Sequence, residues 1–410
     1  MNEVVVTGVG VISPIGGSPD EVREALCASR SGVDIFRSEE LSRPFPVARA
    51  PGDLLAGFTR LELPFLDRTT RMALLAARQA AEDCGIVDFS ALGERAGLFY
   101  GTVRGGGATE WEGLRQFYSG RKIARPYVLM GCMANAAASF ISIRHQILGV
   151  TACHSTACTS SASAIVDACR QLRCGELDIA LAGGAEAALC SEFLSAWDGL
   201  RALAQVDAGD PARSCKPFSS ARSGLVLGEG SVFLALETRA HARARGARVL
   251  AVLEGWGLAS DAHHIGAPHA RGQVAAMGAA LRSAGVTAGE LDYVNAHATA
   301  TRGGDPVEVG ALREVLGEAA ATVPVSSTKA LHGHMLGAAS AMELLVCLLA
   351  IRDGFIPPTA GLQDLDPACD GLLHVPRLLQ PRRVRRALSL SAGFGGLNAA
   401  LILRAEQPTH

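Results

Sequence analysis

Short apolar runs of strand length alternate with longer amphipathic runs of helical period along the whole chain. VVVTGVGVI (residues 4–12), GLFYGT (97–102) and IALAGGAEAAL (179–189) read as buried strands. VLAVLEGWG (249–257), YVNAHA (293–298) and ALSLSAGFGG (387–396) repeat that reading later in the chain. Two longer stretches also recur in the same order. Residues 76–102 and 276–299 each run helix, Gly stop, loop, apolar strand. Residues 156–178 and 333–355 each open on a small-residue turn, continue as an apolar helix and stop near a glycine, Gly175 or Gly354. Two matches in one order point to duplication. The boundary falls in the charged stretch 243–248, giving halves 1–246 and 247–410. Alternation of this kind predicts an α/β fold with mixed, mostly parallel sheets between helices, and ligands at the carboxyl ends of the strands.

Composition narrows the function. With 410 residues, 49% hydrophobic and 19% charged, the chain has ample material for a large core. A net charge of −2 argues against nucleic-acid binding, which needs clustered Lys and Arg. The basic run Arg382, Arg383, Arg385, Arg386 reads as solvated surface. The eleven cysteines include no C-x-x-C pair, and many sit in apolar stretches, which fits a reducing cytoplasm. The N-terminal run, broken by Gly8 and Gly10, reads as strand and turn rather than signal peptide. No apolar run reaches the roughly 20 residues of a membrane span.

Candidate chemistry sits at the ends of these elements. Cys158, in STACTSSASAIVDACRQL, precedes a helix; a helix start offers unpaired N–H groups and a positive dipole end, which favour thiolate. His297 ends a strand, and His334 lies in KALHGHMLGAAS, within about one turn of the repeat position equivalent to Cys158. Each taken alone also fits a packing or surface role; a cysteine and two histidines at element ends of a duplicated frame point to a shared site. The glycines of SAGFGGLNAALIL (391–403) would expose backbone N–H groups after a strand, as an oxyanion hole requires.

These residues, with TGVGVISPIG, TACTS, AGGAE (182–186), KPFSSARSGLVLGEG (216–230), VNAHATAT, STKALHGHMLGAASAME and GFGGLN, resemble the elongating β-ketoacyl-acyl carrier protein synthases of the thiolase superfamily over nearly the whole chain. The resemblance implies a duplicated five-layer αβαβα sandwich and an acyltransferase of fatty acid or polyketide synthesis. It implies no metal or organic cofactor, since substrates ride on the phosphopantetheine of an acyl carrier protein. It further implies a homodimer, or a heterodimer with a ketosynthase-like chain-length subunit, in the cytoplasm. Carried over to this chain, Cys158 accepts the acyl group, and His297 and His334 polarise the malonyl thioester as carbon dioxide leaves. Lys329 supports the site electrostatically and Glu343 holds the network. The N–H groups of Cys158 and Phe394 form the oxyanion hole, and Phe394 gates it. Thr299 and Thr301 hold the pantetheine arm. Arg68, Arg71 and Arg201 are the expected carrier-protein contacts.

Departures from that family are Ala298 and Ala300, where glycine is usual, with methyl groups expected to narrow the arm's tunnel or tilt the thioester; GAAS (337–340) for GAAG; and Leu397 for Thr. Arg104, Glu110 and Glu112 fall where a gate to an apolar acyl pocket is expected. A thiolase would need a second Cys in SAGFGG, and an initiating synthase an Asn at His334. A dinucleotide site at GVGVIS lacks its third glycine, and a metal site at His263, His264 and His269 has mixed spacing. A non-catalytic chain-length partner would typically lose the cysteine, which is kept here.

Overall fold

Tertiary packing divides the apolar runs between two half-sheets of matching topology. The computed structural model describes residues 2–52, 54–55, 57–120 and 126–407; the outer ends of the two expected halves, Met1 and His410, lie outside the described residues. The first half contributes β1 (Val4–Ile12), β2 (Ala96–Gly101), β3 (Thr151–His154), β4 (Ile179–Glu186) and β5 (Gly230–Thr238). The second contributes β6 (Ala251–Ser260), β7 (Tyr293–Asn295), β8 (Pro324–Ser326), the short β9 (Leu373–His374), β10 (Arg386–Gly393) and β11 (Leu397–Arg404). Their orders are β3-β2-β4-β5-β1 and β8-β7-β10-β11-β6, with β9 outside β8. Each half therefore places its own strands in the order third, second, fourth, fifth, first. The pairing sense matches too: β2 is parallel to β3 and β4 as β7 is to β8 and β10; β8 is also parallel to the short β9, and the remaining ladders of this sheet are antiparallel. The halves meet where β1 pairs with β6 through Val5–Val252 and Val6–Ala251. Parallel and antiparallel ladders are thus equally frequent, a correction to the mostly parallel sheet expected, because each half ends on antiparallel excursions rather than crossover helices.

Side-chain alternation along the strands builds the layers. The helices concerned are α1 (Arg68–Cys84), α2 (Gly107–Tyr118), α3 (Ala136–His145), α4 (Ser160–Cys174), α5 (Ser191–Gly199), α6 (Ala270–Ala284), α7 (Gly304–Leu316) and α8 (Ala339–Asp353). In β4, Ala180 and Ala182 face a core shared with α4 and α8, while Ile179 and Leu181 face α1 and α3. In β11, Leu401 and Leu403 face the same central core, while Ala400 and Ile402 face α6 and α7. The result is five layers: outer helices, sheet, the pair α4 and α8, sheet, outer helices. Central α8 has no polar stripe, and every residue from Ala339 to Ala350 is buried. The helix stops fall where glycine allows them: Gly85, Gly175 and Gly354 cap α1, α4 and α8 with φ of 80°, 81° and 66°. Among the described residues no helix is long and apolar enough to cross a membrane.

Candidate active site

The two central helices begin side by side, and the chemistry gathers at their N-terminal ends. Cys158 sits on the turn into α4, after Ala157 in the left-handed region at φ 53°. His297 follows β7, and His334 lies on the loop leading to α8. The Nε2 of His334 stands 3.0 Å from the Cys158 sulfur, and the two imidazoles meet edge to face, 5.2 Å apart at 85°. One donor atom from each of the three residues lies within 4.8 Å of the others, and all three residues are buried.

The two histidines differ in what holds them. Lys329, fully buried at the start of a short helical turn, places Nζ 3.2 Å from His297 Nδ1, donates to the His297 carbonyl at 2.6 Å and ion-pairs with Glu343. An ammonium offers only donors, so Nδ1 must present its lone pair and the ring proton resides on Nε2. His297 is thereby fixed as an N–H donor into the site. His334 Nδ1 has no hydrogen-bond partner among the described residues, so neither tautomer is locked. That ring can accept a proton through Nε2 in one step and donate from it in another. Burial first, then the Lys329 charge, holds both histidines well below the ordinary imidazole range, so both are neutral at physiological pH. Burial pushes the Glu343 carboxyl up and the Lys329 ammonium draws it back; Ser391 Oγ lies 3.4 Å from it.

The thiol departs from its expectation. A helix start was expected to favour thiolate, yet burial pushes Cys158 up to about 11, with the Phe394 N–H and the Lys329 charge opposing. Full removal from water outweighs the helix end, which leaves Cys158 as a thiol next to an acceptor nitrogen. The Phe394 N–H, expected in an oxyanion hole, lies close enough to hydrogen-bond this sulfur. Gly393 makes the approach possible: a Cβ there would lie 3.2 Å from the Cys158 nitrogen and 3.3 Å from the Thr156 carbonyl. The Phe394 ring is partly exposed and packs edge-on against Trp197, 5.2 Å away at 71°.

A cavity of about 950 Å³ leads down to this cluster, and its lining includes Cys158, His297, His334, Phe394, Thr299 and Thr301. The two threonine hydroxyls are 3.2 Å apart. Ala298 and Ala300 are buried in apolar clusters and do not line the cavity. The methyl groups expected to narrow a tunnel point into the core instead, because the extended turn alternates its side chains and Ala300 takes the left-handed region at φ 65°. Arg201 stands at the cavity wall; Arg68 and Arg71 do not. Arg68 is drawn inward to the buried Glu229 and the Ala50 carbonyl, and Arg71 Nε donates to the Leu66 carbonyl at 2.9 Å. Arg104, Glu110 and Glu112 also lie away from the cavity: Arg104 reaches Glu110 at 3.5 Å and covers the Trp111 ring, and Glu112 faces Arg115 at 4.0 Å. Of the loop histidines, His263 and His269 pack with ring centroids 5.0 Å apart. His264 Nδ1 accepts the Gly266 and Ala267 N–H groups, and His269 Nδ1 that of Arg271.

Three supporting residues escaped the sequence reading. Glu308, on α7, accepts the N–H groups of His297 and Ala298 at 2.6 Å each and so sets the catalytic turn. Burial pushes its carboxyl up to about 8, against those two donors. Glu186, at the end of β4, accepts from Val103 at 2.7 Å, Arg104 at 3.1 Å and Gly337 at 3.3 Å, tying the first half to the turn before α8. Ser340 donates to the Cys158 carbonyl at 2.9 Å. A lone acid eleven residues after His297, on the next helical run, was the available signal for Glu308; Glu186 and Ser340 end the stretches AGGAE and GAAS, which the sequence singles out without a role for either residue.

The chain is similar to known proteins over nearly its whole length. The N-terminal domain of β-ketoacyl synthases matches residues 1–242, and the C-terminal domain matches residues 250–363. The chain is 36% identical to nodulation protein E of Rhizobium sp. (strain N33) over 412 residues, covering 98% of each. It is 35% identical to 3-oxoacyl-[acyl-carrier-protein] synthase 2 of Coxiella burnetii over 411 residues, again covering 98% of each. Among solved structures, the ishigamide ketosynthase/chain length factor aligns with a TM-score of 0.90 at 33% identity, covering 99% of this chain and 100% of that one.

Proposed function

The chain belongs to the β-ketoacyl synthase family, and from that premise we propose how its residues carry out decarboxylative condensation on an acyl carrier protein. It is an acyltransferase of the 3-oxoacyl-[acyl-carrier-protein] synthase kind. The observation that carries the assignment of roles is the Cys158 sulfur 3.0 Å from His334 Nε2, with His297 fixed as a donor beside them.

In the first half-reaction the Cys158 sulfur attacks the thioester carbonyl of the delivered acyl chain. His334 Nε2 takes the thiol proton and passes it to the departing pantetheine sulfur. A new acyl–sulfur bond forms on Cys158 and the carrier thiol leaves. The oxyanion forms between the N–H groups of Cys158 and Phe394. In the second half-reaction a malonyl thioester places its carbonyl oxygen against the Nε2–H groups of both histidines. Carbon dioxide departs, its bonding pair becomes the enolate, and the enolate carbon attacks the acyl carbonyl on Cys158. The carbon–carbon bond forms as the Cys158 sulfur–acyl bond breaks, and the expelled cysteine sulfur takes up a proton drawn from solvent, the one proton that the whole reaction consumes. Neutral donors suit an oxygen that gains charge only in the transition state, and unlocked His334 serves both halves. Every step is assigned to side chains and N–H groups, so the reading calls for no metal or organic cofactor.

Thr299 and Thr301 on the cavity wall are placed to hold the pantetheine arm, and Arg201 to meet the carrier protein. A ketosynthase-like partner is favoured by the open edge of β3 and by the exposed apolar side chains Leu114, Phe117, Tyr118, Leu129 and Ile143. The similarity to a ketosynthase/chain length factor supports a heterodimeric catalytic subunit beside the homodimer. The intact cysteine and histidines speak against a non-catalytic partner. We place the junction of the two halves at residues 246 and 247, between a helix ending at Ala244 and β6, and the protein in the cytoplasm.

The test is intact mass after incubation with a panel of acyl-loaded carrier proteins, beside a Cys158→Ala control. An acyl-sized increase absent from the control is expected. An adduct that persists in the control overturns the nucleophile.

A further inference from the structure

We propose that Ser340 is a positioning residue for Cys158, holding the nucleophile's peptide out of the helix that follows it; this rests on the reading of Cys158 as the acyl acceptor. The two central helices are equivalent by duplication, α4 opening at Ser160 and α8 at Ala339. Ser161 and Ser340 are therefore each the second residue of their helix, and Cys158 corresponds to Gly337. Both serines reach across to the other half. Ser161 Oγ accepts the N–H of Ala341, the third residue of α8, at 3.0 Å. Strict symmetry would have Ser340 accept the N–H of Ala162. Instead its hydroxyl donates to the Cys158 carbonyl at 2.9 Å. The pseudo-twofold relation is broken at the residue that carries the chemistry.

The physical consequence concerns where α4 begins. Its ladder opens with the Ser163 N–H on the Thr159 carbonyl. The Cys158 carbonyl lies four residues before Ala162, the spacing of the next ladder bond. Were that bond made, Cys158 would wind into the helix, and its side chain would swing off the line to His334. A donor from α8 gives the carbonyl another partner and keeps the sulfur at the 3.0 Å contact. Both Ser340 and Cys158 are buried, so no water replaces the hydroxyl and the bond acts in a medium of low dielectric. The histidines are held by other groups, Lys329 for His297 and the Val226 carbonyl for the His334 backbone. Removing the Ser340 hydroxyl should therefore act on acylation of Cys158 more than on decarboxylation.

The experiment measures two rates on the full-length protein: acylation of Cys158 from acyl carrier protein by intact mass, and carbon dioxide release from malonyl carrier protein. In Ser340→Ala the ratio of acylation to decarboxylation is expected to fall about tenfold, the scale of one net hydrogen bond lost to a buried acceptor. Ser340→Cys, a weaker donor of similar size, should fall between parent and Ala. An unchanged ratio, or both rates falling together in step with a lowered Tm, overturns the proposal. A Cys158→Ala protein that still takes up the acyl group would instead overturn the reading beneath it.

Discussion

Cys158 and its neighbours turn on how a buried thiol is used without being ionised. The sulfur is out of water, its ordinary acidity is suppressed, and a neutral imidazole waits at hydrogen-bond distance. In the proposed mechanism, proton transfer to His334 during attack replaces a standing thiolate. Alkylation offers a direct check. The Cys158-specific rate with iodoacetamide, read by mass against Cys158→Ala, should keep rising with pH through about 10, consistent with a thiol pushed up to about 11. A plateau below pH 8 would mean a stabilised thiolate and would contradict this account. At the same scale, Lys329 does two things at once: it neutralises Glu343 and fixes the His297 tautomer.

At the scale of elements, the site is made by where strands and helices stop. β7 ends at Asn295, and the turn after it is held by a carboxylate from α7, with Glu308 taking two consecutive N–H groups. Above pH 8, where Glu308 is ionised, Glu308→Gln keeps one acceptor but turns an amide N–H₂ against a backbone N–H. Decarboxylation should drop at least about tenfold while far-UV circular dichroism stays the same, the magnitude being that of a buried donor left unpaired. The same variant reports on pH. A carboxyl raised to about 8 in the fold contributes stability at low pH that is lost as pH rises through that value, and Glu186, raised to about 7, acts in the same direction. The buried histidines held low act the opposite way near pH 6, so the check is the difference between the two proteins: the Tm of the parent minus that of Glu308→Gln should fall between pH 6 and pH 8. A difference that grows over this range would contradict the Glu308 assignment.

For the whole molecule, duplication brings two helix starts together at the centre, and the cavity opens from them toward a partner that must deliver its arm. Carrier proteins are acidic, so landing charges belong at the mouth. Arg201 stands there, whereas Arg68 faces Glu229. Arg201→Glu should raise the KM for malonyl carrier protein several-fold while leaving decarboxylation of a short malonyl thioester unchanged, since rim charges act mainly on encounter. Equal loss with both substrates would place Arg201 in the chemistry rather than in docking. The matching Arg68→Glu change should act on stability instead, because it sets two carboxylates against each other.

Sequence alone determined whatever is local or repeated. Period and glycine stops located β1, α1, α4 and α8, because apolar alternation and left-handed caps depend on near neighbours. The duplicated runs, with Cys158, His297 and His334 at their ends, were enough to select the residues that meet. Tertiary structure alone decided what depends on partners distant in the chain. The direction of the Cys158 shift came from burial, not from its helix end. The Ala298 and Ala300 methyls sit in apolar clusters formed with distant elements rather than on the cavity wall. Equal numbers of parallel and antiparallel ladders followed from connections that no strand's own pattern encodes. The roles of Glu308, Glu186 and Ser340 became visible only where backbone groups from one element met side chains of another. A hydrogen bond across 182 positions leaves no trace in local composition.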